Sequence, residues 1–251
     1  MRILLTNDDG VHAPGLELLE AIAARLSDDV WVCAPAEEQS GAGHSLTLNM
    51  PVRLRQFGEK RFAVTGTPSD AVNLALRKLF PDRQPDLVIS GVNGGENLAD
   101  DITYSGTISA AMEAALAGIP AVAMSQAMRD GGHGFSAAEG WAAKVLAPLI
   151  DVPIARRMVI NVNFPALPAE AVKGIRVVRQ GFHDYSRGSL VEGVDPRGKA
   201  YFWFGLEDVE HTLDRGTDLE AVGDGYVSVT PLQLDLTHHA SLGALAERFA
   251  G

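Results

Sequence analysis

The sequence predicts an α/β fold: a largely parallel sheet in a three-layer arrangement, with a β-excursion after the second strand and a β-rich extension near the C-terminus. Three observations carry this expectation. Over residues 2–163, short continuous apolar runs alternate with segments of helical period, the pattern of parallel strands buried on both faces. Between 45 and 65, three strand-like segments follow one another with only short turns between them, which suits antiparallel pairing. After Gly174, strand-like segments are separated by long loops rich in Gly, Asp and Arg, a texture uncommon inside a compact domain.

Taken in order, residues 2–6 form a buried-type strand. Residues 14–26 carry Leu16, Leu19, Ile22, Ala23 and Leu26 at helical spacing. A second strand at 30–34 holds Cys33, the only cysteine, which its apolar neighbours mark as core. Segments 45–48, 52–56 and 61–65 make the excursion, with Gly58 in its second turn. Thr67-Pro68-Ser69-Asp70 is a helix start, with a Thr cap, Pro at the first helical position and an acid at the third. That helix is expected to end near residue 80, and a strand follows at 86–90. A helix from about 106 to 117 stops at Gly118-Ile119-Pro120, a glycine cap and a breaker. Then come a strand at 121–125, a helix at 137–150 and a strand at 158–163. Segments 175–179, 200–204 and 226–229 are strand-like.

The expected organisation is a single domain over 1–251, with a core of about 1–180 plus the C-terminus and an extension at about 181–235. Val191, Tyr201, Phe202, Trp203 and Phe204 give the extension apolar surface for subunit contacts.

Charge narrows the partners. With 32 acidic against 21 basic residues the net charge is -11, which disfavours a nucleic-acid polymer or an anionic membrane. A small phosphate ester stays open, because a bound cation inverts the local field. One cysteine permits no internal disulfide and suits a reducing compartment. The first apolar run is too short for a signal peptide, and no stretch reaches the roughly 18 residues of a membrane span. A soluble, cytoplasmic protein is expected.

Chemistry concentrates at strand ends, where open α/β sheets bind ligands. Asn7-Asp8-Asp9-Gly10 follows the first strand. Inside a strand Asp8 and Asp9 would point to opposite faces, but past its end, with Gly10 freeing the backbone, both can face one ion. Oxygen donors favour Mg²⁺ or Mn²⁺ over zinc; the plainer alternative is a solvated turn. Ser40-Gly41-Ala42-Gly43 lies beyond the second strand, offering Ser40 as a neutral oxygen. Ser90-Gly91-Val92-Asn93-Gly94-Gly95-Glu96-Asn97 ends the strand at 86–90 and places Asn93 where a carboxamide oxygen can join a metal site. Tyr104-Ser105-Gly106-Thr107 opens a helix, whose free N–H groups and dipole favour phosphate. Together these describe a cation beside an anion cradle.

The same stretches give the chain a family resemblance. MRILLTNDDGVHAPG at 1–15, SGAGHSLTL at 40–48, GTPSDAV at 66–72, SGVNGGENLADD at 90–101, YSGTISAAMEAA at 104–115, INVNFP at 160–165 and TDLEAVGDGYVSVTPL at 217–232 resemble the SurE family. Its members are stationary-phase survival proteins that act as 5′/3′-nucleotidases. The resemblance spans nearly the whole chain and agrees with the α/β reading, which is Rossmann-like. It implies one divalent cation per subunit, Mn²⁺ or Mg²⁺, held by Asp8, Asp9, Ser40 and Asn93. It also implies nucleoside monophosphate substrates and homodimers or homotetramers built through the C-terminal extension.

The residue types suggest how hydrolysis would run. Two carboxylates and two neutral oxygens leave room at the ion for water and a substrate oxygen. Asn97, Ser105 and the N–H groups of Gly106 and Thr107 are the candidate phosphate holders, and Asp8 or Asp9 the candidate base. A phosphorylated signalling domain needs an Asp where Ser90-Gly91-Val92-Asn93 stands, and a covalent aspartyl phosphatase needs one at Asn7. The remaining alternative is a non-catalytic metal- or nucleotide-binding module.

Overall fold

The structure, a computed structural model, describes residues 1–129, 134–151, 154–183, 189–205 and 215–250. The first half runs β1 (Arg2–Thr6), α1 (Pro14–Ala23), β2 (Asp29–Pro35), β3 (Leu54–Gly58), β4 (Arg61–Val64), α2 (Pro68–Lys78), β5 (Leu87–Gly94) and α3 (Gly106–Leu116). It continues with β6 (Ala121–Gln126), α4 (Ser136–Asp151), β7 (Met158–Phe164) and β8 (Ile175–Val177). The remainder is β9 (Ser189–Val194), β10 (Ala200–Gly205), α5 (Asp218–Gly223), β11 (Val227–Gln233) and α6 (Leu242–Phe249).

Among the described residues, nine strands form one sheet in the order β3-β4-β2-β1-β5-β6-β7-β11-β8. The strands from β4 to β7 are parallel to one another. Period-two alternation sends Ile3 and Leu5 to one face and Leu4 to the other. Helices α1 and α4 cover the first face, α2 and α3 the second, which gives the expected three layers. Strand β1 pairs with β2 on one side and β5 on the other, so the chain order reverses there. A crevice at the carboxyl ends of β1 and β5 is the position such a reversal offers to a ligand.

Helix α2 starts as its sequence dictates. Thr67 caps it by accepting the Asp70 N–H at 3.1 Å, and the Asp70 carboxylate accepts the Thr67 N–H at 2.9 Å. The same carboxylate takes the Thr47 N–H at 3.1 Å, and the Thr67 hydroxyl donates to the Ser45 carbonyl at 2.8 Å. These bonds explain one correction: residues 45–48 are not a strand, because α2's cap uses the backbone groups a ladder would need. The excursion is β3 alone, antiparallel to β4, and β4 itself is a sheet strand parallel to β2.

Strand β11 lies inside the sheet, antiparallel to β7, although the sequence grouped it with the extension. Its Pro231 pairs with Ile160 of β7, while β8 reaches only Val227–Val229 of β11. Pro231 therefore sits where β11 has become an edge, the place a strand proline is tolerated. Strands β9 and β10 form a separate two-stranded hairpin. Segments 184–188 and 206–214 of the extension lie outside the described residues, as does the Phe204 side chain. No helix among the described residues is long and apolar enough to cross a membrane. Cys33 is buried, and burial pushes its thiol up to about 12, in keeping with a core residue.

Candidate active site

Four segments converge beyond the carboxyl end of β1. The first is the turn after β1, where Asn7 Nδ2 donates to the Gly10 carbonyl at 2.8 Å and Gly10 has φ +100°. That positive φ turns the chain at once toward α1 and leaves Asp8 and Asp9 at the strand's mouth. The second is the loop after β2, tied down where the Gln39 N–H donates to the Asp8 carbonyl at 2.9 Å. The third is the end of β5, where the Gly94 N–H donates to Asp9 Oδ2 at 3.2 Å. The fourth is the start of α3, whose Thr107 hydroxyl donates to Asp8 Oδ1.

Helix α3 reaches Asp8 because residue 106 is glycine. A Cβ there would lie 2.7 Å from Asp8 Cβ and 2.8 Å from Asp8 Oδ2. Ser105 caps the helix by accepting the Ile108 N–H at 3.1 Å. Ser105 and Thr107 are buried. The N–H groups of Gly106 and Thr107 belong to the first helical turn, which has no intrahelical partner for them.

Burial governs the electrostatics. Asp8 is 5 % exposed, and its pKa is raised to about 6, first by burial and further by the charge of Asp9. The Thr107 hydroxyl and N–H pull it the other way. The Asp9 pKa is also raised by burial, helped by the charge of Glu38 and opposed by the Gly94 N–H. Two neighbouring acids that resist ionisation are a poor arrangement for the empty protein and a good one for a cation.

The other sequence-predicted residues are placed as follows. Ser40 is exposed, and its Oγ donates to Glu38 Oε1 at 2.7 Å. Its loop is also latched by His44, which meets Glu113 of α3 at 2.7 Å. Asn93 donates through Nδ2 to the Gly95 carbonyl at 2.8 Å, which leaves Oδ1 as its donor atom for a cation. Asn97 is buried and donates through Nδ2 to Ser125 Oγ at 2.7 Å. The amide carries two N–H groups, and that bond uses one.

Asn97 belongs to a polar cluster that sequence reasoning missed. Asn163 Oδ1 accepts the Asn97 N–H at 2.8 Å, while Asn161 and Asn163 donate to its carbonyl at 2.9 Å and 3.1 Å. The available signal was INVNFP, in which two asparagines two apart share one face of an otherwise apolar strand.

A hard divalent cation fits the donors present: two carboxylates with raised pKa, a hydroxyl oxygen and a carboxamide oxygen. Among the described residues no group of three or more His, Cys, Asp or Glu could hold a metal, so a cation here would rely on two acids and neutral oxygens.

Residues 3–187 match the family model described as survival protein SurE. The chain belongs to the SurE family. The 5′-nucleotidase SurE of Erythrobacter litoralis is 67% identical over 251 residues, covering 99% of this chain and 100% of that protein. The 5′-nucleotidase SurE of Rhizorhabdus wittichii is 57% identical over 248 residues, covering 97% and 98%. In fold, the chain is similar to the crystal structure of the SurE protein from Aquifex aeolicus, at a TM-score of 0.86 and 39% identity, with 99% of each chain covered. All the candidate site residues lie within the stretch that matches the family model.

Proposed function

We propose that this chain is a 5′-nucleotidase, hydrolysing nucleoside 5′-monophosphates to nucleoside and phosphate with one divalent cation per subunit. The observation that carries the reading is the meeting of Asp8, Asp9 and the start of α3 at the sheet's reversal point. Full-length relatives that bear the name 5′-nucleotidase SurE, at up to 67% identity, support the substrate class.

Asp8, Asp9, Ser40 and Asn93 would hold Mn²⁺ or Mg²⁺. When bound, such an ion neutralises charge gathering on the phosphoryl group and lowers the pKa of a water molecule. The Gly106 N–H, with Ser105 and the second N–H of Asn97, would hold phosphate oxygens at a helix N-terminus, where the dipole favours an anion. The Thr107 N–H, which faces Asp8 here, would join them once a cation takes up that carboxylate. The Thr107 hydroxyl orients the Asp8 carboxylate. Asp8 or Asp9 would serve as base toward the attacking water.

The chain's exposed apolar hairpin and acidic surface fit a homodimer or homotetramer in the cytoplasm, acting on small substrates rather than on nucleic acid or membranes. The test is a phosphate-release screen of 5′- and 3′-mononucleotides, di- and triphosphates and short polyphosphates, each with Mn²⁺, Mg²⁺, Zn²⁺ or chelator. Highest kcat/KM on a 5′-monophosphate is expected. Release from no mononucleotide under any condition would defeat the reading.

A further inference from the structure

The family resemblance includes TDLEAV at 217–222, whose residues the proposed reaction does not use. Asp218 is fully buried, at 0% exposure, and its carboxylate accepts three backbone N–H groups. Oδ2 takes the Ala99 N–H at 3.0 Å; Oδ1 takes those of Gly181 at 2.7 Å and Leu219 at 2.9 Å. Ala99 is remote in sequence and has φ +48°, a left-handed conformation that residues with a Cβ rarely adopt. Its carbonyl is held as well, by Gln180 Nε2 at 2.9 Å.

Both polar groups of this unfavourable residue are thus clamped by the C-terminal part of the chain. Two residues before Ala99 stands Asn97. Ala99 opens the tight turn Ala99–Thr103, which leads through Tyr104 to Ser105, whose N–H donates to the Asp101 carbonyl at 3.1 Å. The backbone angle of Ala99 therefore directs how the chain passes from Asn97, held by Asn161 and Asn163, to Ser105 at the start of α3. Strain that the surroundings over-determine, beside a site, is the form such positioning takes.

We propose that Asp218, assisted by Gln180, is a positioning residue for the phosphate site, acting through Ala99; this rests on the assignment of Asn97 and Ser105 to phosphate. Asn at 218 turns one acceptor into a donor facing N–H groups, so contacts are lost without a change of volume. Glycine at 99 adopts the required angle unaided.

The experiment compares wild type, Asp218→Asn, Gln180→Ala and the double variant Asp218→Asn/Ala99→Gly by two readouts. These are amide hydrogen exchange over residues 97–105 and kinetics of phosphate release from a nucleoside 5′-monophosphate. Asp218→Asn is expected to speed exchange at Ala99 at least tenfold and lower kcat at least tenfold, with Gln180→Ala showing smaller changes of the same sign. Adding Ala99→Gly should recover part of the lost kcat, which a merely structural role for Asp218 would not allow. Unchanged exchange, kcat/KM within twofold of wild type in a folded variant, or no recovery in the double variant would each overturn the inference. Should Asp218→Asn fail to fold, Gln180→Ala decides by the same two readouts. An inactive wild type would count against the nucleotidase assignment, while exchange would still decide the clamp.

Discussion

A methyl group added to Gly106 would collide with the Asp8 side chain at 2.7 Å, yet helix propensity alone favours Ala over Gly by about 1 kcal/mol. The two effects predict opposite signs, and the contact is the stronger. Gly106→Ala should give no rise in melting temperature and at least a tenfold fall in kcat/KM. Asp8→Asn and Asp9→Asn should each lower kcat/KM well over tenfold, about 1.4 kcal/mol or more of transition-state stabilisation. Asp8→Asn carries a second signature in metal-free protein. The pKa of Asp8 rises from 3.8 unfolded to about 6 folded, so the folded state keeps a proton that the unfolded state releases between those values. That group's contribution to stability therefore falls as pH climbs from about 4 to 6, by up to about 3 kcal/mol. Asn does not titrate. Urea melts should show the variant gaining on the wild type as pH rises through this window, and no gain at pH 4. At this scale the sequence marks candidates where chemistry needs particular residue types, as at Asp8 and Asp9, which the structure sets against Thr107 and Gly94. It is silent where a residue acts by contact: nothing local to Asp218 says that it meets Ala99.

Elements were legible wherever their signals are local. The parallel strands β1, β2, β5, β6 and β7 and helices α1 to α4 follow from apolar period, the Thr67 capping box and the Gly118 stop. Segment 45–48 was not, because the Asp70 and Thr67 groups that remove it from a ladder lie far along the chain. The segment that becomes β11 was grouped with the extension because no local signal reveals its pairing with β7, and Pro231 is acceptable there because β8 pairs only as far as Val229. The amino ends of β1, β2 and β4 are joined by Asp29, which accepts from Arg2 Nε at 2.8 Å, Trp31 Nε1 at 2.8 Å and Lys60 Nζ at 2.9 Å. Lys60 and Arg2 hold its carboxyl well below the usual carboxylate range. A lowered folded pKa stabilises above the unfolded value and is lost as pH falls. With Asp29 partly solvated, Asp29→Asn should cost only about 1 kcal/mol near pH 7, and the difference should close as pH drops below about 4, as followed by denaturant titration.

Among the described residues, large apolar side chains stay exposed on the single chain. Val191 and Trp203 face each other across the β9–β10 hairpin at 55% and 68% exposure. An isolated two-stranded hairpin is marginal in water, so contact with a second subunit would supply the missing burial. Helix α6 likewise exposes Leu242, Leu245 and Phe249. Val191→Ser with Trp203→Ser should shift the protein to smaller species in size-exclusion chromatography with light scattering; an unchanged mass would count against the proposed subunit contact. Turnover is expected to depend on a cation held between the chain's own Asp8 and Asp9. That dependence is tested most directly by phosphate release from a nucleoside 5′-monophosphate after exhaustive chelation, before and after adding back Mn²⁺ or Mg²⁺. Chelated protein should release no phosphate, wild type should recover with either ion, and Asp9→Asn should show no comparable recovery. Full turnover by the chelated wild type, or equal recovery in the variant, would contradict that dependence.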